Sequence, residues 1–207
     1  VSTVLKPIQD NNVYAEKMQN ILASVNIESS RNDAAANYKK YIREAKIVNS
    51  LGEDLSGDAF TVDLNVELRK DIKDRLLPVY IAEIENQKYY IIPVRGKGLW
   101  GSIWGYISLK SDMETVYGAN FDHKSETPGL GAEINTPAFK NQFKGKKIFD
   151  DKGAFTSVTV VKGGAPDDDP YGVDAISGGT ITSNGVTKML FEGLKSYESY
   201  FKKIKQS

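Results

Sequence analysis

The segment from Asp174 to Ser183 collects hydroxyl and glycine residues directly ahead of an apolar helical stripe. Small residues before a helix leave backbone N–H groups open, and such groups bind phosphate. The segment lacks the lysine of a P-loop, which disfavours a nucleoside triphosphate. No histidine lies nearby in sequence to activate Ser177 or Thr180 as a nucleophile. Two interpretations therefore remain: a phosphate site, or a loop that ends in a helix cap.

The stretch from Gly96 to Gly101 matches the spacing of a dinucleotide-binding fingerprint after a predicted strand. That fingerprint needs a helix to begin at its third glycine, whereas Ser102–Leu109 alternates like a strand. We interpret the stretch as a glycine-rich hairpin corner, or as a strand edge against which a planar ligand rests beside Trp100. Trp104 is expected to lie in the core.

The loop from His123 to Gly131 places two glycines beside a proline, which predicts a tight turn with accessible backbone amides. Composition alone indicates that Glu126 is a solvated loop charge. The chain has one histidine, so a zinc site shared by two histidines is not expected. The aspartates at 167–169 lack the spacing of a calcium-binding EF-hand loop and indicate a solvated loop.

The elements that position these loops follow from apolar periodicity. Helical spacing covers residues 8–25, 34–48 and 137–143 and a final amphipathic helix that reaches Ile204, capped by Ser183 or Asn184. Strand patterns cover 60–64, 79–84, 89–94, 103–109, 115–121 and 157–161, with a hairpin at Asn86 and Gln87. We predict an α+β fold with an antiparallel sheet, a helical N-terminal extension over 1–58 and a main domain over 59–207.

Composition excludes several classes of function. Lysine plus arginine equals aspartate plus glutamate at 27 each, so the chain lacks the basic surplus of a nonspecific nucleic-acid binder. It has no cysteine, which rules out disulfides, thiolate metal sites and cysteine nucleophiles. No run of about 18 apolar residues is present to span a membrane. Because the chain starts at Val1 without a signal-peptide pattern, we expect it to be cut from something longer or processed.

The segment from Asp174 to Thr180 resembles the flavinylation motif of FMN-binding domains, in which an Asp leads through Ser, Gly and a small residue to an acceptor Thr. Gly179 stands where the family usually has alanine. Three further blocks agree in order: Gly98–Gly101, Glu126–Gly131 and Ser183–Val186. With Leu5–Gln9, Gln19–Leu22 and Leu77–Tyr80, they make the chain most similar to the C subunit of Na+-translocating NADH:quinone reductases.

The resemblance implies a covalent FMN. Its phosphate would form a phosphoester with Thr180, installed by a separate flavin transferase that uses FAD and magnesium. Ser177, Gly178, Gly179 and Thr182 would belong to the attachment segment, and Asp174 would be read by the transferase or cap the local turn. Packing around the isoalloxazine ring is expected from Leu99, Trp100, Glu126, Thr127, Gly129, Leu130 and Gly131. No catalytic residue and no metal ligand is expected.

The resemblance also implies a place in the cell. The chain would be an electron-transfer subunit in a membrane complex, facing the periplasm and tethered to the inner membrane by a single preceding helix. Its partners would be the other subunits of that complex. The alternatives are a component like the G subunit of the ferredoxin–NAD electron-transport complex, a noncovalent FMN-binding module or enzyme, and a binding module without redox function.

Overall fold

A six-stranded antiparallel sheet forms the centre of the structure, a computed structural model that describes residues 2–206 and side chains from Asn11 onward. Its strands are β1 (Ile42–Val48), β2 (Asp54–Leu55), β3 (Leu77–Ile84), β4 (Gln87–Lys97), β5 (Ser102–Lys110) and β6 (Val116–His123). Their order in the sheet is β2-β1-β3-β4-β5-β6. Two short strands, β7 (Thr159–Val161) and β8 (Gly172–Asp174), form a separate parallel pair. The predicted α+β class with an antiparallel sheet is confirmed.

Helices pack on both faces of this sheet. They are α1 (Ser2–Ser24), α2 (Ala34–Tyr41), α3 (Leu64–Glu67), α4 (Pro137–Lys140), α5 (Thr180–Lys195) and α6 (Glu198–Lys205). Short 3-10 turns lie at Ala59–Thr61, Ile72–Asp74, Gly131–Asn135 and Asn141–Phe143. Within residues 2–206, no helix combines the length and the apolarity that crossing a membrane requires.

One face of the sheet packs against α5. A Cβ atom added at Gly96 would lie 2.7 Å from Cβ of Met189, so the helix approaches the strand as closely as glycine allows. Ile92 and Val94 of β4 point to this side and join the main hydrophobic core with Leu190. The core holds α5, and therefore its N-terminal end, in a defined position on the sheet.

The opposite face packs against α1. Ile21 and Val25 are buried there with Tyr80, Ile91 and Tyr106. The contact also has a polar tie, because the Ser108 hydroxyl in β5 donates to the carbonyl of Ser24 at 2.6 Å. Alternation along each strand therefore divides the side chains between two cores.

The predicted β3–β4 hairpin is confirmed, with its turn one residue earlier than expected. Ile84 pairs with Gln87, so Glu85 and Asn86 form the two-residue loop. Both have positive φ, 51° and 63°, as a type I′ turn requires.

Two secondary-structure elements predicted from the sequence are wrong. The helix predicted over 34–48 ends at Tyr41, and 42–48 is a strand that pairs with β3, because pairing and burial of Ile47 and Val48 outweigh local helical spacing. The strand predicted over 60–64 is a 3-10 turn followed by α3. The side chains of Asp58 and Asp63 accept backbone N–H groups and start these two turns.

The final helix begins at Thr180, earlier than the predicted caps Ser183 and Asn184, and Gly179 is its N-cap. It also breaks after Lys195, so that α6 is a separate helix. β1 and β2 lie inside the predicted 1–58 extension and pair into the common sheet; the boundary between two domains stays a prediction.

Trp104 is half-buried and not in either core, contrary to expectation. The Arg95 guanidinium lies over its ring at 5.4 Å from the ring centroid. The two residues are cross-strand partners in β4 and β5. Their side of the sheet is the one that faces α1, because the neighbouring residues Val94 and Gly96 face α5.

Candidate functional site

Three predicted loops meet at one buried carboxylate, that of Glu126, which is 5% exposed. Its Oε1 accepts the backbone N–H of Trp100 at 2.8 Å, and its Oε2 accepts the hydroxyl of Thr182 at 2.5 Å. The side chain therefore joins the 98–101 loop, its own 126–131 loop and the first turn of α5. The composition-based expectation of a solvated loop charge at Glu126 is wrong, because its hydrogen-bond donors come from two other segments.

The electrostatics of this carboxylate favour its charged form. Burial raises the pKa of Glu126, but hydrogen bonds from the Thr182 hydroxyl and from consecutive backbone amides at Trp100, Gly101 and Leu99 outweigh it. The net effect places the pKa below its ordinary value. A fixed negative charge thus holds the three loops together at neutral pH.

Two glycines make room for the carboxylate. A Cβ atom at Gly98 would lie 2.6 Å from Oε1 of Glu126. At Gly131 it would overlap Oε2 of Glu126 and lie 2.5 Å from Oγ1 of Thr182. Any side chain at either position would displace the hydrogen-bonded group.

Thr180 is the first residue of α5, and Gly179 before it supplies no side-chain cap. The first-turn N–H groups of a helix have no intrahelical acceptor, so this end of α5 can receive an anion. Thr180 is half-buried, and its hydroxyl makes no hydrogen bond to any residue between 2 and 206. Ser177 and Gly178 precede it on an exposed turn.

The neighbouring hydroxyls on α5 are already engaged. Thr182, 1% exposed, donates to Glu126, and the Ser183 hydroxyl, equally buried, accepts the N–H of Ile176 at 3.2 Å. The tertiary structure therefore distinguishes Thr180 from Thr182 and Ser183, the next two hydroxyl residues of the same helix.

An exposed apolar patch is contributed by the three segments that Glu126 joins, and it includes Ile181, the residue after Thr180. Its members keep two-fifths or more of their surface exposed: Leu99, Trp100, Leu130 and Ile181. Leu130 reaches the turn at Ser177 and Gly178, since a Cβ atom at Gly178 would lie 2.6 Å from its Cδ2. Exposed apolar residues gathered in this way suit a flat hydrophobic ligand. The sequence analysis did not predict Ile181 as a site residue. It could have been found as an apolar residue of the final helix that lies outside the helix's apolar stripe.

Other predicted site residues have contacts that sequence did not anticipate. The Gly129 N–H donates to Oε1 of Glu133 at 3.0 Å, so this amide already has an acceptor in the following 3-10 turn. Thr127 is exposed, and its carbonyl accepts the N–H of Leu130 and of Ala132. The backbone N–H of Glu126 donates to Nδ1 of His123 at 3.2 Å.

Asp174 lies in β8 at the start of the predicted attachment segment. Its Oδ1 accepts the N–H of Ala165 at 2.8 Å, and its own N–H donates to Oε1 of Gln142. The hydrogen bond of its carboxylate is therefore made to the preceding loop and not to the turn at Ser177–Gly179. The carboxylate is otherwise exposed.

Comparisons with known proteins agree with this arrangement. The family model described as FMN-binding domain matches residues 98–195, a range that includes all three loops. The C subunit of the Na+-translocating NADH-quinone reductase of Vibrio vulnificus is 32% identical over 203 residues, covering 88% of this chain and 78% of that protein.

Solved structures extend the similarity to the whole fold. The crystal structure of the C subunit of Na+-translocating NADH-quinone reductase from Parabacteroides distasonis has a TM-score of 0.89 and 47% identity, covering 95% of this chain and 96% of that one. Shewanella oneidensis NqrC has a TM-score of 0.78 and 28% identity, with coverage of 93% and 98%. Because these similarities extend over most of both chains, the chain belongs to the NqrC family, the C subunits of Na+-translocating NADH-quinone reductases.

Proposed function

We propose that this chain carries FMN joined by a phosphoester to Thr180 and transfers electrons as a subunit of a Na+-translocating NADH-quinone reductase. Membership of the NqrC family supports the electron-transfer role, and the FMN-binding domain match supports the cofactor. The FMN, when bound, supplies the redox chemistry, and the protein supplies position and electrostatics.

The observation that carries the proposal is the state of the Thr180 hydroxyl. It lies at a helix start that has no side-chain cap, and no described residue hydrogen-bonds to it, whereas Thr182 and Ser183 are buried and bonded. A phosphate on Thr180 would find the open N–H groups of the first turn of α5. The exposed turn at Ser177 and Gly178 would let a modifying enzyme reach the hydroxyl.

The surrounding residues fit a flavin ring. The patch of Leu99, Trp100, Leu130 and Ile181 would offer apolar contact to the ring from the three segments that Glu126 joins. Thr127, Gly129 and Gly131 would shape the loop beside it. In this arrangement Glu126 is a positioning residue, because both of its oxygens are bonded to the protein. Gly179 would allow the attachment turn to approach the backbone of Gly131 closely. A Cβ atom added at Gly179 would lie 3.4 Å from the backbone nitrogen of Gly131.

Membership of the same family supports a wider role. A flavin transferase would act on the exposed turn at Ser177 and Gly178, with Asp174 available for recognition. The other subunits of the membrane complex would exchange electrons with a flavin that stays exposed, since the patch that would hold it opens to solvent. We place the domain on the periplasmic side of the inner membrane, tethered by a single helix that precedes this sequence.

Co-expression with a flavin transferase and intact mass measurement test the attachment. We expect a gain equal to FMN less one water, lost in Thr180→Ala and kept in the control Ser111→Ala, which removes an exposed hydroxyl outside the attachment segment. A gain that survives Thr180→Ala would place the flavin elsewhere and overturn the proposal. Absence of any gain, with flavin removable by dialysis, would favour a noncovalent FMN module.

A further inference from the structure

A cavity of about 500 Å³ lies on the α1 face of the sheet. Its walls come from α1, from the segment 60–64 and from strands β3 to β5. This volume is within the range of small-molecule sites. The cavity lies on the face of β4 and β5 opposite α5, whereas the loops around Thr180 join α5, so it is separate from the candidate flavin site.

The polar feature of the cavity is an unpaired cation. Arg95 is half-buried and lies against Trp104, and it makes no hydrogen bond and no ion pair within 4 Å among the described side chains. Burial lowers the pKa of Arg95, and the more distant charge of Asp63 opposes this only in part. A guanidinium has five N–H donors, and none of the Arg95 nitrogens is among the fully buried unpaired atoms of the described residues, so these donors face solvent and are open to a ligand carboxylate.

A second cation lines the same cavity. The Lys17 ammonium donates to the carbonyl of Phe60 and lies over the Phe60 ring at 4.6 Å. Burial lowers the pKa of Lys17, against the opposing charges of Asp58 and Asp63. Asn20 follows one helical turn later on the same wall, and its carboxamide oxygen accepts the amide of Asn120 at 3.0 Å.

The acidic residues of the cavity are at its rim. Glu16 and Asp63 are exposed, so water screens their charges, whereas Arg95 and Lys17 are half-buried. The interior therefore favours negative charge. The two acids at the rim disfavour a polyanion such as a nucleoside triphosphate, and one unpaired guanidinium matches a single carboxylate.

Aromatic side chains form the rest of the walls. Tyr14 and Phe60 have ring centroids 5.7 Å apart, and Tyr80 and Tyr106 meet edge to face at 6.4 Å below them. Trp104 contributes a half-buried indole beside Arg95. Such walls suit a flat ring better than a flexible chain, because aromatic pairs gain from stacked and edge contacts.

We propose that this cavity binds a small planar aromatic carboxylate, with its ring against the aromatic walls and its carboxylate on the Arg95 guanidinium. The proposal does not depend on the flavin or on Thr180. The ligand would bind on the reverse side of the hairpin whose turn carries Leu99 and Trp100.

The test uses the full chain in the Trp100→Phe background, where Trp104 is the remaining tryptophan. The single indole N–H resonance in a ¹H–¹⁵N spectrum then reports on the cavity. Titration with 2-naphthoate is expected to shift this resonance saturably, and the neutral isostere 2-naphthylmethanol is expected to bind about tenfold more weakly. An unmoved Trp104 resonance, or equal binding of the alcohol, would overturn the proposal.

Two variants locate the site. Arg95→Gln should weaken 2-naphthoate about tenfold, whereas Lys97→Gln, which removes an exposed cation two residues along β4, should leave binding unchanged. If Arg95→Gln fails to fold by circular dichroism, Val13→Phe replaces it, since Val13 is a rim residue that is 62% exposed. Filling the rim should weaken binding, and unchanged affinity in the folded variant would contradict the assignment.

Discussion

The hydroxyl of Thr182 donates to Oε2 of Glu126 at 2.5 Å, although the two residues are 56 positions apart. Thr182 is in the first turn of α5, two residues after Thr180. The other oxygen of Glu126 binds the backbone of Trp100. The position of the α5 start relative to the aromatic loop is therefore set by one carboxylate, and this contact is open to direct tests.

Glu126→Gln should lower the free energy of unfolding by about 2–3 kcal/mol, because the amide keeps one acceptor oxygen and presents N–H2 to groups that donate. Urea denaturation measures the change. Glu192→Gln is the matched control, since Glu192 on α5 is exposed and its ion pair with Lys188 is long, at 3.8 Å. Equal losses in the two variants would show that Glu126 has no special role.

Thr182→Val tests the pairwise contact. Combined with Glu126→Gln in a double-mutant cycle, it should give a coupling free energy of about 1–2 kcal/mol, because the two side chains share one hydrogen bond. A coupling near zero would mean that the backbone amides alone hold the carboxylate. Chemical denaturation of the wild type, both single variants and the double variant supplies the four values.

The contribution of Glu126 should disappear in acid. Its folded pKa lies below its unfolded value, so the unfolded state binds more protons and the stabilisation is complete above the unfolded pKa of about 4.3. It is lost as the pH falls through the folded pKa. We expect the stability difference between wild type and Glu126→Gln to be constant near neutral pH and to shrink below pH about 4. A difference that stays constant through the acid range would contradict the charged assignment.

Gly131→Ala and Gly129→Ala should distinguish the effect of a steric clash from the effect of backbone strain. The methyl group at 131 would collide with the Glu126 carboxylate, whereas at 129 it meets nothing within 4 Å and only the φ of +74° opposes it. We expect the first to abolish most flavin incorporation and the second to keep it, with a stability cost of about 1 kcal/mol. Flavin fluorescence of the denatured protein measures incorporation; full incorporation in Gly131→Ala would refute the steric argument.

Ser108→Ala should loosen α1 from the sheet. The buried hydroxyl donates to the Ser24 carbonyl, and its loss should cost about 1 kcal/mol. Ser111→Ala, at an exposed serine just beyond β5, should be neutral. Thermal melts of the two variants compare them; faster amide hydrogen exchange in residues 11–24 of Ser108→Ala would locate the change. Identical melts would show that apolar contacts alone hold the helix.

The local sequence pattern predicted an element correctly where the residues of that element alone show its periodicity. The alternation in 79–84, 89–94 and 103–109 predicted three central strands. In each of them, alternate side chains pack against the helices on opposite faces of the sheet. The local pattern failed at 42–48, where helical spacing and a strand with two buried apolar residues at one end look alike. It also failed at the start of α5, since a glycine N-cap gives a weaker signal than a serine.

The sequence by itself determined the sheet class, and its resemblance to FMN-binding domains predicted an attachment segment that ends at Thr180 and the loops expected to surround it. Only the tertiary structure decided that Glu126 is buried and charged, that Thr182 is bonded while Thr180 is not, and that Arg95 faces a cavity. The physical reason is that these properties depend on partners from distant segments. A carboxylate in a loop looks solvated until the donors that replace its water are brought to it by the fold.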